Sequence, residues 1–129
     1  MRQRAFTVVA CALVLLGFGC HRVGDRSRVL TVEHEIAPQP VRVGTATITF
    51  TATDPSSRPV TGAQITVEAD MSHAGMAPVF AHATEIAPGR YRSQLLLGMA
   101  GDWVILLHGT LPDGEKLEQQ FDIRGVRPN

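Results

Sequence analysis

From Thr45 to Thr53 the chain counts in twos. Ala46, Ile48, Phe50 and Ala52 alternate with five threonines. Side chains two apart share a face only in an extended strand, and β-branched residues favour that conformation. The alternation returns in Ala63, Ile65, Val67, Ala69 and Met71, set against Gln64, Thr66, Glu68 and Asp70. It returns again in Leu30, Val32, His34 and Ile36, in Tyr91, Ser93, Leu95, Leu97 and Met99, and in Leu117, Gln119, Phe121 and Ile123. Trp103 to His108 is largely apolar and reads as a central strand, and Phe80 to Ile86 supplies a seventh segment. After the N-terminal segment, no window has the 3.6-residue period of an amphipathic helix.

The breaks carry turn chemistry. Asp54-Pro-Ser-Ser-Arg-Pro59 separates two strands, Ala87-Pro-Gly-Arg90 has the Pro-then-Gly order of a type II turn, and Leu111-Pro-Asp-Gly-Glu115 reads as a hairpin. Seven short strands with turns between them predict an all-β fold, an immunoglobulin-like antiparallel β-sandwich over residues 29–126. If successive strands run up and down, the loops after the first, third and fifth share one end. These are residues 37–44, 71–78 and 98–101.

That layout bears on the candidate site. Met71-Ser-His-Ala-Gly-Met76 places two thioethers and an imidazole within six residues, beside Gly75 and Pro78. Thioether and imidazole favour soft Cu(I) over Zn²⁺, Ca²⁺ or Mg²⁺. The chain has 4 Met, one of them the initiator, and Met99 falls in the loop expected at the same end. The expected metal ligands are therefore Met71, His73, Met76 and Met99, with His82 in reserve near the start of the fourth strand. The competing reading is packing. Met71 and Met99 fall in register with apolar strand faces, and Met is a common core filler. His82 shares parity with Phe80, Thr84 and Ile86, as a hydrogen-bonded interior His would. His34 alternates with apolar residues and reads as a core or rim residue. His108 reads as structural and falls at the opposite end, and His21 as part of a tether.

The N-terminus reads as an export signal. Arg2 and Arg4 precede an uncharged apolar run from Ala5 to Gly19, followed by Cys20 and polar residues. The run is shorter than the about 20 residues of a comfortable membrane span and suits a signal segment. Gly19 before Cys20 suggests lipoprotein cleavage. Residues 1–19 would then be the signal peptide, Cys20 the lipidated first residue and 20–28 a polar tether. A short uncleaved anchor and ordinary secretion are the alternatives. Cys11 lies within the signal, so the mature domain would have no free thiol or disulfide, which removes Cys nucleophiles, CxxC redox chemistry and Cys-zinc sites. Removing Arg2 and Arg4 leaves 10 basic against 12 acidic residues, a net of −2. No basic patch stands out, and nucleic acid is not an expected partner. Neither GxSxG nor HExxH occurs, and no enzymatic activity is expected.

Three motifs in order, Met71-Ser-His-Ala-Gly-Met-Ala-Pro78, Ala87-Pro-Gly-Arg-Tyr91 and Met99-Ala-Gly-Asp-Trp-Val-Ile-Leu106, resemble the YtkA-like domain family and, more loosely, the FixH-like proteins. The resemblance covers roughly residues 45–124. It implies a small exported immunoglobulin-like sandwich in the cell envelope, often near copper handling or respiratory-oxidase assembly. This chain departs from the usual Met-Pro-type loop by placing His73 between the two methionines. Two functions follow as expectations. One is a lipid-anchored Cu(I)-binding protein or metallochaperone, attached to membrane lipid through Cys20 and facing the periplasm or exterior, with a copper protein as partner. The other is a non-metal interaction module whose Met loop contacts a membrane or respiratory protein.

Overall fold

The computed structural model describes residues 30–73 and 75–129, so the expected signal, tether and lipidation site at Cys20 lie outside the described residues. Seven strands account for most of the described chain: β1 (Thr31–Ala37), β2 (Gly44–Thr53), β3 (Gln64–Met71), β4 (Val79–Ala87), β5 (Arg90–Leu97), β6 (Gly101–Thr110) and β7 (Lys116–Val126). No helix forms among the described residues.

Hydrogen bonding runs in the order β1-β2-β5-β4-β3-β6-β7, and every strand pair is antiparallel. The two layers arise within β4. Its first half pairs with β3, from Ala69↔Val79 to Ile65↔Ala83. Its second half pairs with β5, from Thr84↔Arg92 to Ala87↔Arg90, with a register shift between Glu85 and Ala87. One layer is therefore β1-β2-β5 with the end of β4, and the other is β7-β6-β3 with its beginning. Sequence neighbours separated between layers in this way give the immunoglobulin-like sandwich.

The expected alternation decides what lies between the layers. Ile48, Phe50, Leu95 and Leu97 of one layer meet Val67, Ile105, Leu107 and Trp103 of the other, all buried. Phe50 and Tyr91 are register partners whose rings stack at 5.5 Å. The Tyr91 hydroxyl donates to the Val60 carbonyl at 2.7 Å and accepts from the Ala63 amide at 3.1 Å. Its phenol is pushed up to about 12, by burial first and by the Glu85 carboxylate second. Tyr91 thus ties β5 to the strand-free stretch before β3.

The turns follow their sequence chemistry. Asp54 Oδ1 accepts from the amides of Ser56 and Arg58 at 2.8 and 3.0 Å, and its Oδ2 pairs with Arg58 Nε at 2.9 Å. These bonds, the Arg58 amide above all, hold its carboxyl below the usual range. Gly89 takes φ +70° between β4 and β5, as position three of a type II turn requires. Beyond β1 the chain passes Pro38 and Pro40 and changes layers. Residues 41–43 run beside the end of β7, with Arg127 N donating to Val41 O at 3.0 Å and Val43 N to Arg127 O at 2.9 Å. His34 is a rim residue, as its parity suggested. It stacks on Phe121 at 3.8 Å and covers the open side between β1 and β7.

Candidate functional site

The strand pairings put Ala37, Gly44, Met71, Val79, Leu97 and Gly101 at one end of the sandwich. The loops after β1, β3 and β5 therefore share that end, and Met71, His73, Met76 and Met99 all lie on them or at their borders. Met71 ends β3 opposite Trp103 and is only 8% exposed. A β-carbon built on Gly101 would sit 3.2 Å from Met71 Cε, so the Met71 side chain packs against the start of β6. Met76 and Met99 are 44% and 47% exposed, and His73 is exposed as well.

The two loops are tied together through backbone. Ser72 donates to the Asp102 carbonyl from its amide at 3.2 Å and from its hydroxyl at 3.3 Å. The buried Trp103 indole donates from Nε1 to the Met99 carbonyl at 3.1 Å. Asp102 Oδ1 accepts from the Gly125 amide at 2.8 Å. The loop bearing Met99 is thus held by a core aromatic, and the loop bearing His73 is held to the strand that follows Met99. Met76, Met99 and His73 are thus exposed on loops at one end of the sandwich, with the Met71 thioether packed against the start of β6.

His82 stands apart from this group. It is the fourth residue of β4, pairs with Thr66 and points outward with Phe80 and Thr84. The inward set of β4 is the small trio Val79, Ala81 and Ala83. The parity shared with Phe80, Thr84 and Ile86 is therefore that of the outer face, which corrects the interior reading of His82. The ring faces a groove where β4 leaves β5.

A second cluster went unnoticed in the sequence. On the outer face of β3, β6 and β7, His108 sits between two carboxylates, with Nε2 2.7 Å from Glu68 and Nδ1 2.6 Å from Glu118. Ionised carboxylates only accept, so both contacts are satisfied as hydrogen bonds when the imidazole carries a proton on each nitrogen. Glu68 raises the His108 pKa, burial opposes it, and Glu118 adds to the rise. A raised folded pKa gives stability that is fully present below the unfolded value of about 6.5 and lost as pH rises through the folded one. The ring is 40% exposed, so the contribution is at most about 1 kcal/mol per pair. Urea unfolding at pH 6 and pH 9 should show His108→Gln losing less stability over that interval than the parent. Identical pH profiles would mean that the triad contributes nothing. Among the described residues, no three His, Cys, Asp or Glu side chains are grouped so as to hold a metal ion.

Residues 26–108 match the YtkA-like family. The chain belongs to that family. The match takes in β1 to β5 and most of β6, so the YtkA-like region includes every candidate ligand, and the sandwich continues beyond it through β7. No curated protein sequence matches the chain. Solved structures with a related arrangement include MtrC from Shewanella baltica OS185, at 13% identity and TM-score 0.44 over 77% of this chain and 22% of that one. Murine CRIg matches at 13% identity and TM-score 0.45 over 78% and 98% of the two chains. The ZirS C-terminal domain matches at 15% identity and TM-score 0.49 over 97% and 86%. The YtkA-like chain thus spans about a fifth of MtrC.

Proposed function

We propose that this YtkA-like protein is a lipid-anchored, non-enzymatic Cu(I)-binding protein of the cell envelope, a metallochaperone or a close equivalent. The observation that carries this reading is the meeting of the 71–78 and 98–101 loops at one end, with Met76 and Met99 both substantially exposed. Large apolar side chains usually seek burial, and a thioether left in solvent beside an imidazole fits the chemistry of a soft ion. His73, Met76 and Met99 would be the accessible ligands, with Met71 at the rim of the core. His82 would join only if the fourth strand shifted toward the end. Without a thiolate the site would bind and release.

A second reading has its own support. Phe80 and Leu96 are each 60% exposed and, with Met76 and Met99, form the larger part of the exposed bulky apolar residues described. Such residues suit a contact surface for a membrane or respiratory protein, and Met supplies adaptable packing.

Anaerobic Cu(I) titration against a competing chelator separates the two. Met→Leu keeps size and apolarity, so it should spare the fold at these exposed positions. Met76→Leu combined with Met99→Leu should weaken Cu(I) binding by roughly tenfold or more, the loss of about 1.4 kcal/mol. An unchanged affinity would leave the contact-surface reading standing. Zn²⁺ should bind far more weakly in the parent. Attachment through Cys20 is checked separately: fatty-acid labelling in cells should disappear in Cys20→Ala, and persistent labelling would exclude that site.

A further inference from the structure

We infer that the fork between β4 and β5 is a docking groove for the carboxyl-terminal segment of a partner polypeptide, bound as an added strand. β4 pairs with β5 only from Thr84 to Ala87 and then crosses to β3. From Gln94 to Leu97, β5 is paired with β2 on one side and with no strand on the other among the described residues. An unpaired edge invites another strand, and proteins usually guard such edges with charges, prolines or bulges. Here neither Val79–Thr84 nor Ser93–Leu97 contains a charged residue or a proline. Phe80 and Leu96 flank the opening, each 60% exposed.

The charge at the closed end selects the occupant. A groove of about 400 Å³ lies in the fork, lined among others by His82, Thr84, Arg92 and Gln94, with no carboxylate in its lining. Arg92 has no ion-pair partner among the described residues. The acids of this layer are engaged elsewhere: Glu85 accepts from the Gly62 amide at 2.7 Å, and Glu35, in the row of Arg92 across β2, lies 4.0 Å from the Arg90 guanidinium. An added strand beside Gln94–Leu97 must stop where the Ser93 hydroxyl donates to the His82 carbonyl at 3.0 Å, next to the Thr84↔Arg92 pair. Antiparallel to β5, its carboxyl end arrives at that stop. Parallel to β5, its amino end would arrive there and meet Arg92 with like charge. Arg92 therefore favours the antiparallel direction and a terminal carboxylate, combining strand addition with carboxylate capture. This inference stands apart from the copper reading, because Arg92 lies on the outer face of β5, away from the Met loops.

The full chain can be titrated with a fluorescein-labelled octapeptide of alternating Thr and Val, once as the free acid and once as the carboxyl-terminal amide. Anisotropy should show the free acid binding about tenfold more tightly, the effect of a charge-assisted hydrogen bond. Amide NMR shifts should concentrate at Gln94–Leu97. Arg92→Gln should abolish the preference and Arg92→Lys should keep most of it, with urea midpoints unchanged in both. Cu(I) affinity should also be unchanged in Arg92→Gln, which keeps a failure here distinct from a failure of the metal reading. No binding of either peptide at millimolar concentration, equal binding of both, or a preference that survives Arg92→Gln would each overturn the proposal.

Discussion

Trp103→Ala should destabilise the fold by about 3–5 kcal/mol, the range for truncating a core aromatic. Trp103 is 3% exposed and lies between Met71 of β3 and Ile123 of β7 in the register of its layer. Its indole fills the end of the core beneath the Met loops, and its N–H is satisfied by the Met99 carbonyl. Alanine removes the packing and leaves that carbonyl without its donor, so two losses add at one position. Residues 30–129 contain no cysteine, so no disulfide within them offsets these losses. Urea unfolding with the parent slope checks the value, and a loss well under 1 kcal/mol would show that the site collapses around alanine. Trp103→Phe should recover much of the packing but not the hydrogen bond, and so fall between parent and alanine.

Gly89→Ala should cost roughly 2–4 kcal/mol, through strain and overpacking together. Gly89 combines φ +70° with close neighbours. A β-carbon there would lie 2.8 Å from Pro59 Cβ and 3.0 Å from the Ala52 carbonyl oxygen. That carbonyl accepts from the Val60 amide, and the Gly89 carbonyl accepts from the Ala52 amide, both at 2.9 Å, so moving aside would disturb two bonds. Gly114 provides the comparison. Its φ is +85°, yet nothing lies within 4 Å of a β-carbon there. Gly114→Ala should carry only the conformational cost, about 1–2 kcal/mol. Equal losses at the two positions by thermal or urea unfolding would mean that Pro59 yields without cost.

The strands were legible because burial on one side writes itself into the sequence at every second residue. Thr45–Thr53 and Ala63–Met71 needed no tertiary knowledge. The shared end of the Met loops was legible for a related reason, since antiparallel neighbours fix which loops lie together once strands are counted. What stayed hidden depends on register between distant strands. Glu68, His108 and Glu118 are 40 and 10 positions apart, and nothing local announces that three outward side chains fall in adjacent rows. β4 misled for another reason. Its large residues, Phe80 and Ile86, face outward, while Val79, Ala81 and Ala83 face in, because a strand passing from one layer to the other has room beneath it only for small side chains. Size suggested the wrong face for His82. The fork itself had no sequence signal beyond an uncharged stretch on either side.

Residues 41–43 find their partner at Arg127, and the Arg42 guanidinium reaches the Pro128 carbonyl 86 positions away. Such closure is slow to reach by chance, since a long loop must be ordered before the contact is made. It also sets a schedule for a chain that emerges amino end first from a ribosome or a translocation pore. The segment after β1 waits, unmatched, while six further strands come through, and its place beside β7 is available only once the last strand of the sandwich has emerged. Until then the side between β1 and β7 stays unlatched, and the nascent chain depends on whatever shields it during transit.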